Sequence, residues 1–497
     1  MLNYHKTSVL IFSLFLSFLL TACVVQENPI SGSQRAFGYS WEQEVAIGKQ
    51  SDEQIINQFG LYEDEEMSDY VTRVGQSVLE NSHMRGEDTD EKFRETEFTF
   101  RVLDSPVINA FALPGGFVYM TRGLMAHLNN EAQLAVVLGH EIGHVAGRHA
   151  SQRVLSQQIS QISLIGGAIL GQELLGLPGQ DILGLGSTAA QLLLLSHSRE
   201  HERESDEVGV EYAAKTGYRA HEGSEFFRTL KRIGERSGGS IPNFMSTHPD
   251  PGDREQAIIN MAESWEEAGE SLENINQDQY FNIIDGIIVG KNPRNGYIEG
   301  GTFYHPNNRF QFSIPTDWEQ SQEGNQVAII ESNQKAIMIF QELEELKDAE
   351  EAVDQLGTQE GIEVTQKESI QINGLPGWLM RAQAQTEEGE LELMVFGITY
   401  NNDIYRFVNY SAASDFSRYE DTFISTIESF RELNDRNRLN VEPVRLRTYI
   451  ADRDASFESF LPDNLPMDLE AEEYAIINQV DLNERITQGT RLKLPTQ

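Results

Sequence analysis

Apolar and polar positions divide the chain into two regimes. From Trp41 to about Met261 the apolar residues recur with the period of helices that bury one face, and the stretch is predicted to be mostly helical. Within it, Asn130 as N-cap and Gln133 three residues on make a capping box that opens a helix through LAVVLGHEIGHVAGRH. Upstream, FTFRVLDS and GGFVYMTRG predict strands, the second introduced by the turn-forming Leu113-Pro114-Gly115-Gly116. The charged stretch SWEEAGESLENINQDQ ends this region, and 263–299 reads as a linker. Beyond it FQFSIP, VAII, AIMIF, LELMVFGITY and IYRFVNYSA predict strands, while DAEEAVDQL and YEDTFISTIESF predict helices, so a separate α+β domain is expected over 300–433. The tail, 444–497, predicts strand, two short helices and strand, and no tetratricopeptide-type repeat is visible.

Two apolar stretches stand apart. Lys6 precedes a run from Val9 to Leu20 that is short for a bilayer span and is followed by Leu20-Thr21-Ala22-Cys23. This predicts a signal peptide over 1–22 and a lipidation site at Cys23 of the bacterial lipobox kind, with 23–39 as the tether. Val24 after the cysteine, in place of Asp, points to the outer membrane in a Gram-negative host. Cys23 is the single cysteine, which excludes an intramolecular disulfide and any cysteine-rich metal site. The second stretch, 162–195, is interrupted by Gly176, Pro178, Gly179 and Asp181, so it predicts two buried or interfacial helices and no membrane span. Length allows about three domains, and the net charge of −40 argues against nucleic acid or an anionic membrane surface as a general partner.

The chemistry concentrates in HEIGHVAGRH. His140, Glu141 and His144 form a His-Glu-x-x-His signature, in which histidines at i and i+4 share a helix face and supply two nitrogens to one zinc ion. Glu141 between them is placed as general base. On a continuous helix turning about 100° per residue, His149 would lie ~180° from His140 and ~140° from His144. It is therefore expected to point away, and the third ligand to come from elsewhere. SHSREHERESDEVG offers it: Glu202 and Asp206 share a helix face, one able to bind zinc and the other to hold a ligating imidazole. Glu200 and Glu204 fall on other faces, and His197 and His201 are further candidates.

The ordered set NAFALPGGFVYMTRGLM, HEIGHVAGRH, SREHERESD and STHPDPGDR resembles the gluzincin family typified by the CAAX prenyl-protein endopeptidase, in its bacterial envelope branch that includes the β-barrel assembly-enhancing protease. The resemblance spans about 40–262 and implies a zinc metallopeptidase domain there, binding one ion through His140, His144 and Glu202, with Asp206 paired to Glu202. It also implies that substrate lies along an edge strand similar to Gly115, Gly116, Phe117, Val118 and Tyr119, and that His248 approaches the metal, either donating to the oxyanion or shutting the site as a ligand. The expected fold class is α+β: a mostly helical zinc metallopeptidase domain with a small edge-strand sheet, a separate α+β domain, and a small LysM-like tail.

The tail's first turn, IADRDAS, lacks the usual Gly-Asp-Thr, so peptidoglycan contact is a weak expectation beside a structural role. The function implied is a periplasm-facing, lipid-anchored zinc endopeptidase acting on misfolded or stalled envelope proteins. Its rival is a chaperone-like or cell-wall-binding lipoprotein with a closed, regulatory metal site.

Overall fold

A computed structural model of the chain describes residues 24–156, 197–236, 243–249, 253–323, 326–343, 346–359, 361–386, 389–466 and 469–496. The segment 1–22, Cys23 and the apolar stretch 162–195 lie outside the described residues. Among the described residues no helix is long and apolar enough to cross a membrane.

A hairpin of β1 (Val24–Glu27) and β2 (Gln34–Phe37) leads into helices α1 (Trp41–Phe59) and α2 (Glu65–Glu80). A three-stranded sheet follows, made of β3 (Thr99–Leu103), β4 (Ala110–Leu113) and β5 (Phe117–Thr121), and then α3 (Arg122–His127). Its order is β3-β5-β4, with β3 parallel and β4 antiparallel to β5. Phe117, Val118 and Tyr119 therefore sit in the middle strand, bonded on both sides, and the expectation that they form an edge is corrected. The edge beside the next helix is β4, which pairs only with β5 among the described residues. Gly115 and Gly116 turn the chain between β4 and β5 with φ of +81° and +102°. At Gly115 a Cβ would also lie 2.4 Å from Val45 Cα, so the turn needs glycine there twice over.

Helix α4 (Glu131–Ala146) is buried along its whole length. Asn130 caps it by accepting from Gln133 N, but the Gln133 side chain accepts from Asn129 N, so the expected capping box is only half made. Across α4 runs α5 (Arg199–Lys215), whose N-cap is Ser198. Glycines let these two helices meet backbone to backbone: a Cβ on Gly139 would lie 2.8 Å from Gly209 O, and one on Gly209 2.8 Å from His140 N. Helices α6 (Glu222–Arg236), α7 (Asn243–Thr247) and α8 (Arg254–Glu267) complete this unit.

The region expected as a linker is part of the core. After α9 (Gln277–Ile283), Ile284, Ile287 and Val289 are buried in the same cluster as the α4 residues, and Tyr280 Oη donates to Met125 O at 2.6 Å. The tail does likewise. Its outer strands, Arg445–Ile450 and Arg491–Thr496, pair antiparallel around a 3₁₀ turn and the helix Ala471–Ile477, and Leu446, Phe457, Tyr474 and Leu492 join that cluster. Lys493, fully buried, donates from Nζ to Ala126 O at 2.7 Å and Leu128 O at 2.9 Å at the end of α3, and burial pushes its amine well below the usual lysine range.

Between them lies a seven-stranded antiparallel sheet, in the order 362–372, 375–386, 389–400, 403–412, 336–343, 326–331, 318–323. Alternate residues feed opposite faces: Met394 and Phe396 pack with helix Phe416–Glu428, and Leu393 and Val395 with helix Ala349–Gly357. All seven predicted elements of this domain are present, and strands 297–299, 302–305 and 318–323 and the hairpin 362–386 are additional. The hairpin's turn, Asn373-Gly374 with φ of +50° and +82°, was the available signal.

The α4–α5 contact is testable at Gly209. Gly209→Ala gains about 1 kcal/mol of helix propensity but presses a methyl onto backbone that cannot swing aside, a cost of about 1–3 kcal/mol. The expected outcome is a lower melting temperature together with a loss of bound metal per chain. Unchanged values in both would show that the two helices tolerate separation.

Candidate metal centre

The i, i+4 spacing on α4 brings the Nε2 atoms of His140 and His144 to 3.0 Å from each other. From α5, the Glu202 carboxylate faces both, its oxygens 3.6 Å from His140 Nε2 and 3.4 Å from His144 Nε2. His248, just past α7, adds Nδ1 at 3.4 Å from His140 Nε2 and 3.2 Å from Glu202 Oε1, with its ring stacked on Phe244 at 4.6 Å. All four side chains are buried. A tetrahedron around an ion with bonds of about 2.0–2.1 Å has edges of about 3.3–3.4 Å, and the spacings of 3.0–3.6 Å, with Glu202 facing His140 through Oε2 and His144 and His248 through Oε1, suit a single small divalent ion.

The electrostatics agree with a site built for a cation. Burial opposes the ionisation of Glu202, but the charge of His248 and hydrogen bonds from His144 and His248 outweigh it and hold the carboxyl far below its usual range. Burial pushes His144 well down, leaving a neutral ring with a lone pair to give. For His248 burial is overcome by Glu202 and Glu141, which raise it. Glu141 is raised by burial, partly offset by His248 and His140, and neither of its oxygens has a hydrogen-bond partner among the described residues. Its Oε1 lies 3.7 Å from His248 Nε2.

Behind the donors stands a second layer. Asp206 Oδ1 is 2.9 Å from His140 Nδ1, and Asp206 is itself gripped by Arg254, from Nε at 2.9 Å and from the terminal nitrogen of the same guanidinium. Arg254 also reaches Glu202, at 3.4 Å, from the first turn of α8. Arg254 is the residue that sequence reasoning passed over. It stands in the quoted STHPDPGDR, but an arginine six residues past a histidine has no local pattern that assigns it to a carboxylate on another helix.

The structure thus brings together His140, Glu141, His144, Glu202, Asp206 and His248. It does not bring Gly115–Tyr119 to an edge, and Tyr119 is a core residue whose Oη donates to Asp52 at 2.8 Å. His149 is a further correction. The helix stops at Ala146, and Arg148 takes a left-handed φ of +56°, so the 100° rule no longer applies. His149 folds back, with Nδ1 2.9 Å from His144 Nδ1. His201 is stacked on it at 4.2 Å. His144, His149 and His197 lie close enough to form a second, overlapping donor group.

Residues 68–262 match the family described as Peptidase family M48. The beta-barrel assembly-enhancing protease of Yersinia pestis is 28% identical over 233 residues, 46% of this chain and 45% of that protein. The mitochondrial metalloendopeptidase OMA1 of Arabidopsis thaliana is 30% identical over 167 residues, 34% of this chain and 32% of its own length. Its namesake in Bos taurus is 33% identical over 172 residues, 33% of this chain and 32% of its own length. The chain thus spans about half the length, or less, of these curated relatives. All four donors and Glu141 fall inside the span, residues 68–262, that matches Peptidase family M48.

Proposed function

We propose that the chain is a zinc-dependent endopeptidase. The observation that carries this reading is the convergence of His140, His144 and Glu202 on one point, with beside it the buried Glu141 carboxylate, which has no hydrogen-bond partner among the described residues. Zinc held there would polarise a peptide carbonyl and lower the pKa of water toward neutrality. Glu141, its carboxyl raised by burial, takes the proton of the attacking water and returns it to the leaving amine. A pure binding protein has no use for that carboxylate.

The substrate is an extended polypeptide segment added to the outer side of β4, which pairs with no further strand among the described residues. A cleft of about 1220 Å³ runs beside β4, lined by Val107, Asn109 and Phe111 and, from the chain just before His248, by Ser246 and Thr247, while the metal donors themselves do not line it. The bacterial relatives' names, beta-barrel assembly-enhancing protease, suit a role on envelope proteins, read here as misfolded or stalled ones, and the separate motif Leu20-Thr21-Ala22-Cys23 supports Cys23 as a lipid anchor facing the periplasm from the outer membrane. The way the tail packs into the peptidase core supports a structural role for it over peptidoglycan binding.

The place of His248 in the donor set favours a resting state closed by its own histidine, the part of the rival reading worth keeping. Opening requires the ring to leave, after which its nitrogen can face the developing oxyanion.

Glu141→Gln is expected to keep wild-type zinc content and lose casein cleavage by roughly 10²–10⁴-fold. Full activity in a chelator-treated, zinc-restored variant would remove Glu141 from the mechanism. For His248→Ala a faster casein cleavage is expected, whereas a fall of roughly 10²–10³-fold at unchanged zinc would make the residue an oxyanion donor instead. Cys23→Ala should abolish lipid labelling and release the protein from membranes under salt and carbonate washes. Retention after those washes would place the anchor elsewhere.

A further inference from the structure

One ligating imidazole is braced by a carboxylate directly, His140 by Asp206 at 2.9 Å. His144 has no carboxylate on its Nδ1 among the described residues. It faces His149 instead, Nδ1 to Nδ1 at 2.9 Å, and the far nitrogen of His149, Nε2, lies 2.8 Å from Glu204 Oε2. The proton positions follow from the chemistry. An imidazole that gives its Nε2 lone pair to an ion carries its proton on Nδ1, so His144 donates and His149 Nδ1 accepts. Ser205 Oγ, 3.3 Å from the same nitrogen, is a second donor to it. His149 must then carry its own proton on Nε2, which points at Glu204.

The local fold is specialised for this contact. A Cβ on Gly147 would lie 2.3 Å from His149 Nε2, so only glycine leaves room for the returning ring. The left-handed Arg148 is clamped by Glu44 Oε1, from Nε at 2.8 Å and Nη2 at 2.6 Å, and lies over the Phe37 ring at 3.7 Å. His201 stacks on the other side of the His149 ring, and Arg35 of β2 approaches Glu204 at 3.9 Å.

We propose that His149 and Glu204 are positioning residues for the metal ligand His144, joined as a carboxylate–imidazole–imidazole chain that fixes the tautomer and tilt of the ligating ring. The chain does for His144, through one intervening ring, what Asp206 does for His140. It rests on the reading of His140, His144 and Glu202 as zinc ligands.

The test is zinc affinity and stoichiometry of the full chain, by competition with a chromophoric chelator and by elemental analysis, with Glu202→Ala as the control that loses the ion. Glu204→Ala and His149→Ala are expected to bind one zinc roughly 10–100-fold more weakly. Glu204→Gln, whose amide oxygen still accepts from His149 Nε2, is expected to recover most of the affinity. Glu204 is 26% exposed, so its alanine variant should fold, and thermal melting checks that it does. Wild-type affinity in both alanine variants overturns the proposal, as does equal loss in Glu204→Gln and Glu204→Ala. A second ion per wild-type chain that His149→Ala removes also overturns it, because His149 would then be a ligand. A wild type that takes up no zinc at all sinks the zinc reading itself, a result distinct from the others.

Discussion

Everything at the metal centre depends on how closely α4 approaches α5. Ordinary helix pairs keep their axes about 8–10 Å apart because side chains stand between them. Here Gly139 meets Gly209 and Gly143 lies over Ser205, so backbone touches backbone at the level of the two histidines. Carboxylates are short, and only this approach lets Glu202 and Asp206 reach the two faces of His140, one toward the ligand point and one behind it. The family signature is a property of a helix pair, although the sequence writes it as two separate motifs.

Bringing so many polar groups out of water carries a large desolvation cost, and the arrangement offsets it by pairing each charge. Arg254 neutralises Asp206 and Glu202, and Arg148 compensates Glu44 nearby. His248 stands between two carboxylates, Glu202 and Glu141, which draw its ring toward the donors. The same attraction explains how one histidine can both complete the set and hinder access to it. Both oxygens of Glu141 are without a hydrogen-bond partner among the described residues, and a buried carboxylate kept in that condition is prepared to take up a proton.

The C-terminal parts are joined to this centre mechanically. Residues 277–289 and the tail share the peptidase core, and buried Lys493 ties the last strand to the end of α3, the helix that directly precedes the α4 cap. Asn129 and Gln133 at the start of α4 also bond to Asn478 and Gln479 of the tail. The tail therefore helps to hold the N-terminal end of the helix that carries His140 and His144. The seven-stranded sheet keeps its own two cores and its own helices.

By itself the sequence determined whatever depends on neighbours a few residues apart: the helix under HEIGH with its Asn130 cap, the shared face of Glu202 and Asp206, and the alternating strands beyond residue 300. These follow from dihedral periodicity and local hydrogen bonding, which a short window contains. Strand 362–372 escaped because it is an edge strand with mostly polar, exposed residues, so its pattern lacks the apolar alternation that burial imposes. The tertiary structure alone decided three things. It placed Phe117–Tyr119 in the middle of their sheet, since strand order is set by packing between segments and leaves no local trace. It turned His149 toward His144, because the break at Gly147 and Arg148 is held by Glu44, a hundred residues upstream. And it brought Arg254 to a helix pair it follows at a distance, a contact that long-range burial creates and no spacing rule encodes, whereas the approach of His248 was already implied by the family resemblance.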